Sequence, residues 1–137
     1  MKQSVKLTPK GERWRRTGHP WIYRDDVESV DSQCAGAIVR VLAPAGQPVG
    51  QAFCNPHSKI VLRWLTEDPE RPVDRAFWEE RLTAALNLRQ RVVRDSDACR
   101  LIYSEADRFP GLIVERSGAV LVVQSLRLGI DPRLPLL

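Results

Sequence analysis

The 137-residue sequence has no segment that would place it in a membrane or direct it to export. Its longest uninterrupted apolar run spans residues 119–123, whereas a membrane helix needs roughly 18 apolar residues or more. Residues 1–6 carry two lysines with no apolar stretch behind them, so they do not resemble a secretory signal. We therefore expect a cytoplasmic protein with no membrane partner.

Cysteine is also scarce. The three cysteines are Cys34, Cys54 and Cys99; their number is odd, their spacings are long, and no C-x-x-C pair occurs. These features argue against a disulfide framework and against a zinc site. We expect three free, partly buried thiols in a reducing compartment.

The sequence also lacks the common catalytic and cofactor-binding motifs. It has no G-x-x-x-x-G-K loop, no G-x-G-x-x-G after a strand, no H-x-x-x-H pair and no nucleophile elbow. His19 and His57 each adjoin a proline in a predicted loop, which favours structural roles. Glu105 and Asp107 would share a face of an extended segment, but acids in turns are usually solvated. We predict no catalytic residue, no metal ligand and no cofactor site in this chain.

The basic residues are concentrated at one end. Residues 1–24 contain seven basic residues and one acid, while the rest of the chain has 14 basic and 16 acidic residues. Such a patch attracts polyanions, because bound phosphates release their counterions. A solvated basic face without a partner explains the charge equally well.

The first half of the chain reads as β-structure. Short segments rich in β-branched residues, separated by proline and glycine turns, predict strands. They lie at residues 5–7, 37–42, 49–54 and 60–65, with an extended aromatic segment at 19–23. Pro9-Lys10-Gly11 predicts a turn, and residues 12–16 predict one helical turn after it. Several short strands of this kind suggest a small β-barrel or pseudobarrel over residues 3–66.

The second half has a different pattern. After a polar linker at 67–72, apolar residues recur at helical spacing from Asp74, a candidate N-cap, to Arg94. Strands are predicted at 100–104, 112–115 and 119–125, and Pro110-Gly111 is suited to the centre of a type II turn. The fold class predicted is α+β, with a β-pseudobarrel followed by a small domain of one helix and an antiparallel sheet.

Basic and aromatic residues alternate in residues 13–24. Basic side chains can hold phosphates while aromatic rings stack on unpaired bases. Trp21 and Ile22 fit the core of the barrel better than a base platform, which would leave mainly the arginines exposed. RNA binding is therefore the best-supported chemistry of this segment.

Three blocks of the sequence resemble one protein family in order and spacing. They span residues 11–23, with RRTGHPWIY at 15–23, residues 50–66, with NPHS at 55–58, and residues 100–124, with EADRFPGLIVER at 105–116. Together they are similar to the N-terminal part of the bacterial large-subunit (23S) rRNA cytosine-C5 methyltransferase I family, which is S-adenosylmethionine-dependent.

The resemblance implies a domain organisation. Residues 1–68 would be a PUA-like RNA-binding domain, residues 73–126 an α+β connector, and residues 127–137 a truncated lead-in to an absent Rossmann-like catalytic domain. S-adenosylmethionine would then belong to the full-length parent, and this chain alone would be inactive. The apolar tail at 126–137 could drive self-association.

Under this reading the partner is RNA, specifically rRNA, bound largely through phosphates. A stand-alone PUA-type adaptor without a catalytic role, or a structural remnant with no specific partner, would fit the same residues. An open reading frame continuing past codon 137 into a glycine-rich methyltransferase motif would favour the enzyme over the adaptor. The candidate RNA contacts are Lys10, Arg13, Arg15, Arg16, His19, Arg24, Asn55, Lys59 and Arg63.

Overall fold

A computed structural model of the protein describes residues 3–136, in two compact units that divide between Arg71 and Pro72. The first unit contains β1 (Ser4–Lys6), α1 (Pro9–Arg15), β2 (Trp21–Tyr23), β3 (Ile38–Leu42), β4 (Pro48–Cys54) and β5 (Ile60–Thr66). The second contains α2 (Arg75–Val92), β6 (Ala98–Tyr103), β7 (Leu112–Ser117) and β8 (Val120–Ser125). Short 3₁₀ turns lie at Arg24–Asp26, Ser32–Cys34, Ser104–Asp107 and Asp131–Leu136.

The strands of the first unit form a half-barrel in the order β1-β3-β4-β5-β2. β1 runs parallel to β3, and the other three pairings are antiparallel. A bridge between Leu7 and Val27 links segments that adjoin the two edge strands. The predicted β-rich first half is therefore confirmed.

Buried and partly exposed residues alternate along the strands, and the buried ones form the core of this unit. In β3, Val39 and Val41 are fully buried, while the residues on either side of them are only half-buried. β5 contributes Val61 and Leu62, and Ile22 of β2 is also fully buried. The interpretation that Ile22 is a core residue is confirmed, whereas Trp21 beside it is half-buried.

The helix α1 differs from the prediction at its start. Pro9, Lys10 and Gly11 were expected in a turn, but they form the first turn of the helix. The Thr8 hydroxyl accepts a hydrogen bond from the Gly11 backbone N–H at 3.0 Å, and Pro9 occupies a first-turn position whose missing N–H costs nothing. The same residues that signal a turn thus begin a capped helix.

Gly11 lies where α1 meets the Arg24–Asp26 turn. A Cβ atom at this position would stand 2.0 Å from the Asp26 carbonyl oxygen, which also accepts a hydrogen bond from the Thr8 N–H at 2.9 Å. No side chain fits in that space, so glycine is required for the close approach of the helix to the turn. The requirement is one of contact distance rather than of backbone dihedral angles.

The expectation of three free thiols is wrong for two of the cysteines. Cys34 and Cys54 form a disulfide with their Cα atoms 5.8 Å apart, and both residues are buried. Backbone hydrogen bonds of 2.9 Å, from Gly36 N–H to the Cys54 carbonyl and from Cys54 N–H to the Ala37 carbonyl, bring the segments together. Sequence spacing does not reveal this pairing. Cys99 is the free cysteine among the described residues.

The second unit matches the predicted helix and antiparallel sheet. The sheet has the order β6-β7-β8, and α2 packs on β6. The Asp74 carboxylate caps α2 by accepting a hydrogen bond from the Phe77 N–H at 3.1 Å. Trp78 is buried and stacks on Phe109, with ring centroids 5.4 Å apart. This aromatic pair joins the helix to the turn before β7.

The turn before β7 agrees with the prediction, but the neighbouring Asp107 does not. Gly111 has φ = +86°, and the Leu112 N–H donates to the Phe109 carbonyl at 3.0 Å, so the predicted type II turn with Pro110 at its first central position is confirmed. The expectation that Asp107 is solvated is wrong: its side chain is 5% exposed and accepts two hydrogen bonds from the Arg89 guanidinium.

The C-terminal segment is partly covered. Ile130 is fully buried, while Leu126 and Leu128 are each 50% exposed; Leu137 lies outside the described residues. Self-association through this tail stays a prediction. Over residues 3–136 no helix is long and apolar enough to cross a bilayer, and no cluster of metal-ligating side chains is found in the same range.

The contact at Gly11 yields a stability prediction. Alanine normally stabilises a helix relative to glycine by about 1 kcal/mol, but at Gly11 the added methyl would overlap the Asp26 carbonyl. Gly11→Ala should therefore destabilise the protein by roughly 1–3 kcal/mol, as overpacking does, in urea or thermal unfolding. Arg13→Ala, at an exposed position of the same helix, is the control and should change little. A Gly11→Ala variant at least as stable as the parent would contradict the packing described.

The disulfide can be tested by counting thiols. Alkylation under denaturing, non-reducing conditions should label Cys99 alone, and prior reduction should expose all three cysteines. Mass spectrometry reads both results. Reduction should also lower the free energy of unfolding by roughly 2–4 kcal/mol, since it frees the unfolded chain. Three labelled thiols without reductant, in protein kept from reductant throughout purification, would contradict the pairing.

Candidate nucleic-acid interface

One face of α1 carries exposed cations. The side chains of Lys10 and Arg16 are 68% and 72% exposed, and Arg13 between them is also exposed. All three come from the first 24 residues, where the basic charge of the sequence is concentrated. They form an exposed cationic face, which we call the α1 face (Lys10, Arg13 and Arg16).

Two other predicted RNA contacts are instead held in structural interactions. The Arg15 side chain is 16% exposed and donates two hydrogen bonds of 2.8 Å to the Glu12 carboxylate. Arg63 is 6% exposed, and its guanidinium lies 5.3 Å from the centre of the Trp21 ring. Neither guanidinium presents the open surface that the α1 face does.

A second group of predicted contacts lies where β2 ends and β5 begins. The Arg24 guanidinium donates to the backbone carbonyls of Pro56 and Ser58, and the Arg24 N–H donates to the Lys59 carbonyl at 2.9 Å. The Asn55 amide oxygen accepts from the His57 N–H at 3.1 Å, which shapes the turn. Lys59 is exposed. The structure thus places Arg24, Asn55 and Lys59 in one loop cluster.

His19 belongs to an aromatic cluster rather than to the cationic face. Its ring stacks on Trp14 with centroids 4.8 Å apart, and its Nδ1 accepts a hydrogen bond from the Trp21 N–H at 3.1 Å. The Trp14 indole N–H in turn donates to the Trp21 carbonyl at 2.8 Å. These contacts fix the Trp14 ring in one orientation.

The α1 face borders an open pocket of about 450 Å³. This volume lies within the roughly 300–1,000 Å³ of small-molecule sites. The pocket lies between the helix, the end of β2 and the Arg24–Asp26 turn. It is lined by Lys10, Arg13, Trp14, Thr17, Tyr23 and Asp26.

Sequence reasoning found only part of this pocket. Lys10 and Arg13 were predicted as RNA contacts, and Tyr23 was noted in the basic and aromatic segment. Trp14, Thr17 and Asp26 were missed. Helical spacing offered a signal, because residues 10, 13 and 14 share one face of a helix, and Thr17 lies in the turn that follows it. That signal depended on starting the helix at Pro9.

The ion pairs of Glu12 anchor the helix that carries this face. Glu12 is buried and also accepts a hydrogen bond of 2.9 Å from Arg16. The Arg15 hydrogen bonds, reinforced by Arg16 and opposed by burial, lower the pKa of the Glu12 carboxyl from 4.5 to about 2. A helix of seven residues is unstable alone, so the buried carboxylate contributes to its position.

Comparison with known proteins identifies this half-barrel. Residues 5–67 match the family described as PUA-like domain. These residues form a PUA-like domain. The match covers most of β1 and all of β2 to β5, including α1, the pocket and the loop cluster around Asn55. Every predicted RNA contact therefore lies within the PUA-like domain.

Relatives extend the similarity beyond the PUA-like domain. The chain is 33% identical over 131 residues to ribosomal RNA large subunit methyltransferase I of Shewanella denitrificans, covering 93% of this chain and 33% of the relative. It is 33% identical over 132 residues to the protein of that name from Alteromonas mediterranea, covering 94% and 33%. The resemblance drawn from the sequence motifs is thereby confirmed. The chain spans about one third of the length of these relatives.

Solved structures show the same fold over almost the whole chain. A protein of Streptococcus mutans assigned as a SAM-dependent methyltransferase matches with a TM-score of 0.86 and 12% identity, over 98% of this chain and 35% of the other. A second, assigned as a methyltransferase and solved with SAH, matches with a TM-score of 0.84 and 14% identity, over 99% and 35%. At these identities the likeness concerns fold.

The lowered pKa of Glu12 predicts how stability depends on pH. A carboxyl with a depressed folded-state pKa stabilises the fold above its unfolded value of 4.5, and this contribution disappears as the pH falls toward about 2. Glu12→Gln should therefore lose roughly 2–3 kcal/mol at pH 7, and the gap to the parent should close between pH 4.5 and 2. Denaturant titrations across this range measure it.

Glu79 provides the matched control. It pairs with Arg75 at 2.7 Å, but its side chain is 59% exposed, so Glu79→Gln should change stability little at any pH. A difference between Glu12→Gln and the parent that stayed constant down to pH 2 would contradict the assignment of the effect to this carboxylate.

Proposed function

We propose that this chain is the RNA-binding part of a SAM-dependent rRNA (cytosine-C5) methyltransferase and lacks the catalytic domain itself. The observation that carries the proposal is the exposed α1 face (Lys10, Arg13 and Arg16) on a PUA-like domain whose curated relatives are named as ribosomal RNA methyltransferases. Exposed cations bind RNA phosphates by displacing counterions.

The division of the cations supports this role for α1. Arg15 neutralises the buried Glu12 and stabilises the fold, while Arg13 has an exposed side chain that projects from the same helix. The loop cluster of Arg24, Asn55 and Lys59 adds a second cationic position on the PUA-like domain, suited to a neighbouring stretch of RNA backbone. In this proposal His19 positions the Trp14 ring on which the pocket is built.

The transferase chemistry would belong to the rest of a full-length parent. We assign no S-adenosylmethionine site to residues 3–136, so in this proposal the cofactor would bind to the remainder of the parent. Isothermal titration calorimetry of this chain with S-adenosylmethionine should show no binding. Measurable binding would overturn the part of the proposal that assigns the cofactor site to the remainder of the parent.

Filter binding tests the RNA-binding role. The chain should bind fragments of large-subunit rRNA with an affinity that falls steeply with salt concentration. Arg13→Ala/Arg16→Ala should weaken binding and reduce the slope of log affinity against log salt by about one unit per lost phosphate contact. Affinity that does not depend on salt would contradict the proposal.

Arg91→Ala/Arg94→Ala is the matched control, because it removes the same charge from exposed positions outside the PUA-like domain. It should leave the salt slope close to that of the parent. Equal loss in both double variants would mean that net charge, and not the α1 face, attracts the RNA.

A further inference from the structure

The pocket beside α1 contains a buried acceptor without a hydrogen bond. Asp26 is 3% exposed, and its Oδ1 atom accepts no hydrogen bond within the described structure. The Lys10 ammonium lies 3.4 Å from Oδ1 as an ion pair, outside hydrogen-bonding geometry. A buried polar atom without a hydrogen bond destabilises the fold, because it has lost its hydrogen bonds to water. A ligand that donates a hydrogen bond here would relieve that destabilisation.

The other carboxylate oxygen of Asp26 is only weakly engaged. Oδ2 accepts from the Tyr23 N–H at 3.4 Å, a long distance for an N–H to oxygen hydrogen bond. Oδ1 has almost no accessible surface, and the Lys10 ammonium lies 3.4 Å from it on a side chain that is 68% exposed. Both oxygens would become available to a molecule in the pocket once that mobile-ended lysine moves aside to a phosphate. A group with two adjacent N–H donors would complement both oxygens.

Aromatic rings line the same pocket. Trp14 and Tyr23 have ring centroids 6.3 Å apart at an angle of 49°, and the hydrogen bond of the Trp14 indole to the Trp21 carbonyl holds the Trp14 ring in place. Tyr23 is 37% exposed, so its ring has free surface. Flat rings of this kind stack on unpaired bases with little dependence on base identity.

We infer that this pocket binds the base of an unpaired guanosine in RNA, with the Asp26 carboxylate accepting from guanine N1–H and the N2 amino group. Among the four bases, only guanine places two donors side by side on its Watson–Crick edge. Cytosine, adenine and uracil each place an acceptor beside the donor, which the carboxylate would repel. Lys10 and Arg13 at the rim of the pocket would hold the flanking phosphates.

This inference rests on the proposed RNA binding and adds base selection to it. Fluorescence anisotropy with the pentaribonucleotides UUGUU, UUAUU, UUCUU and UUUUU measures both at once. UUGUU should bind roughly tenfold or more tightly than the others, the discrimination that a paired set of hydrogen bonds gives. Inosine in place of guanosine lacks the N2 amino group and should lose most of the preference.

Asp26→Asn is the decisive variant, because it keeps the shape of the side chain while replacing one acceptor with a donor. It should remove the preference for UUGUU. UUUUU should still bind in a salt-dependent way and no more weakly than it binds to the parent, because the variant removes a negative charge beside Lys10. Tyr23→Leu should weaken all four oligonucleotides by loss of stacking while keeping guanosine first. Thermal unfolding checks that both variants fold. If Asp26→Asn does not fold, Tyr23→Leu alone tests the inference.

The outcomes separate this inference from the proposed function. Equal, salt-dependent binding of all four oligonucleotides would overturn the guanosine pocket and leave RNA binding intact. No salt-dependent binding of any oligonucleotide would overturn the proposed function itself. GMP should bind far more weakly than UUGUU, since it carries only one of the two phosphates that flank the base in RNA. Equal affinity would overturn RNA as the source of the base and indicate a mononucleotide site.

Discussion

The candidate site depends on the close approach of α1 to the Arg24–Asp26 turn. At Gly11 the helix backbone contacts the Asp26 carbonyl so closely that a Cβ would stand 2.0 Å from it. This contact brings the exposed face of the helix beside the end of β2 and buries the Asp26 side chain at the pocket. Because Gly11 has no side chain, the helix can approach the turn closely enough to bring the cations, the aromatic rings and the carboxylate together.

Some charged side chains of the PUA-like domain stabilise the fold, and others are exposed to solvent. Glu12 holds Arg15 against α1, and Arg15 becomes nearly buried as a result, whereas Arg16 also bonds to Glu12 but keeps 72% of its side chain exposed. Buried ion pairs of this kind are costly to break, because the remaining charge loses its partner. Lys10 and Arg13 stay exposed at the pocket rim. The surplus of basic residues in the sequence thus overstates the cations available to RNA, since some of them hold the fold together.

Much of the fold could be predicted from local patterns in the sequence. Strands β3, β4 and β5 and helix α2 follow from alternation, helical spacing, turn residues and the Asp74 cap, which are properties of neighbouring residues. The errors arose where distant segments meet. Pro9 and Gly11 signal a turn locally but begin a helix that packs on Asp26. Asp107 belongs to a turn, yet Arg89 of α2 buries it. Cys34 and Cys54 pair only because Gly36 and Ala37 bond to the end of β4.

The sequence by itself determined the α+β class, the concentration of basic residues in the first 24 positions and the family resemblance, because these depend on composition, periodicity and motif spacing. Only the tertiary structure decided which cations are exposed, which cysteines pair and that Asp26 lies buried beside Trp14 and Tyr23 in a pocket. Burial and pairing depend on atoms brought together from different elements of the fold. What the Asp26 carboxylate can bind therefore depends on the groups that surround it after folding.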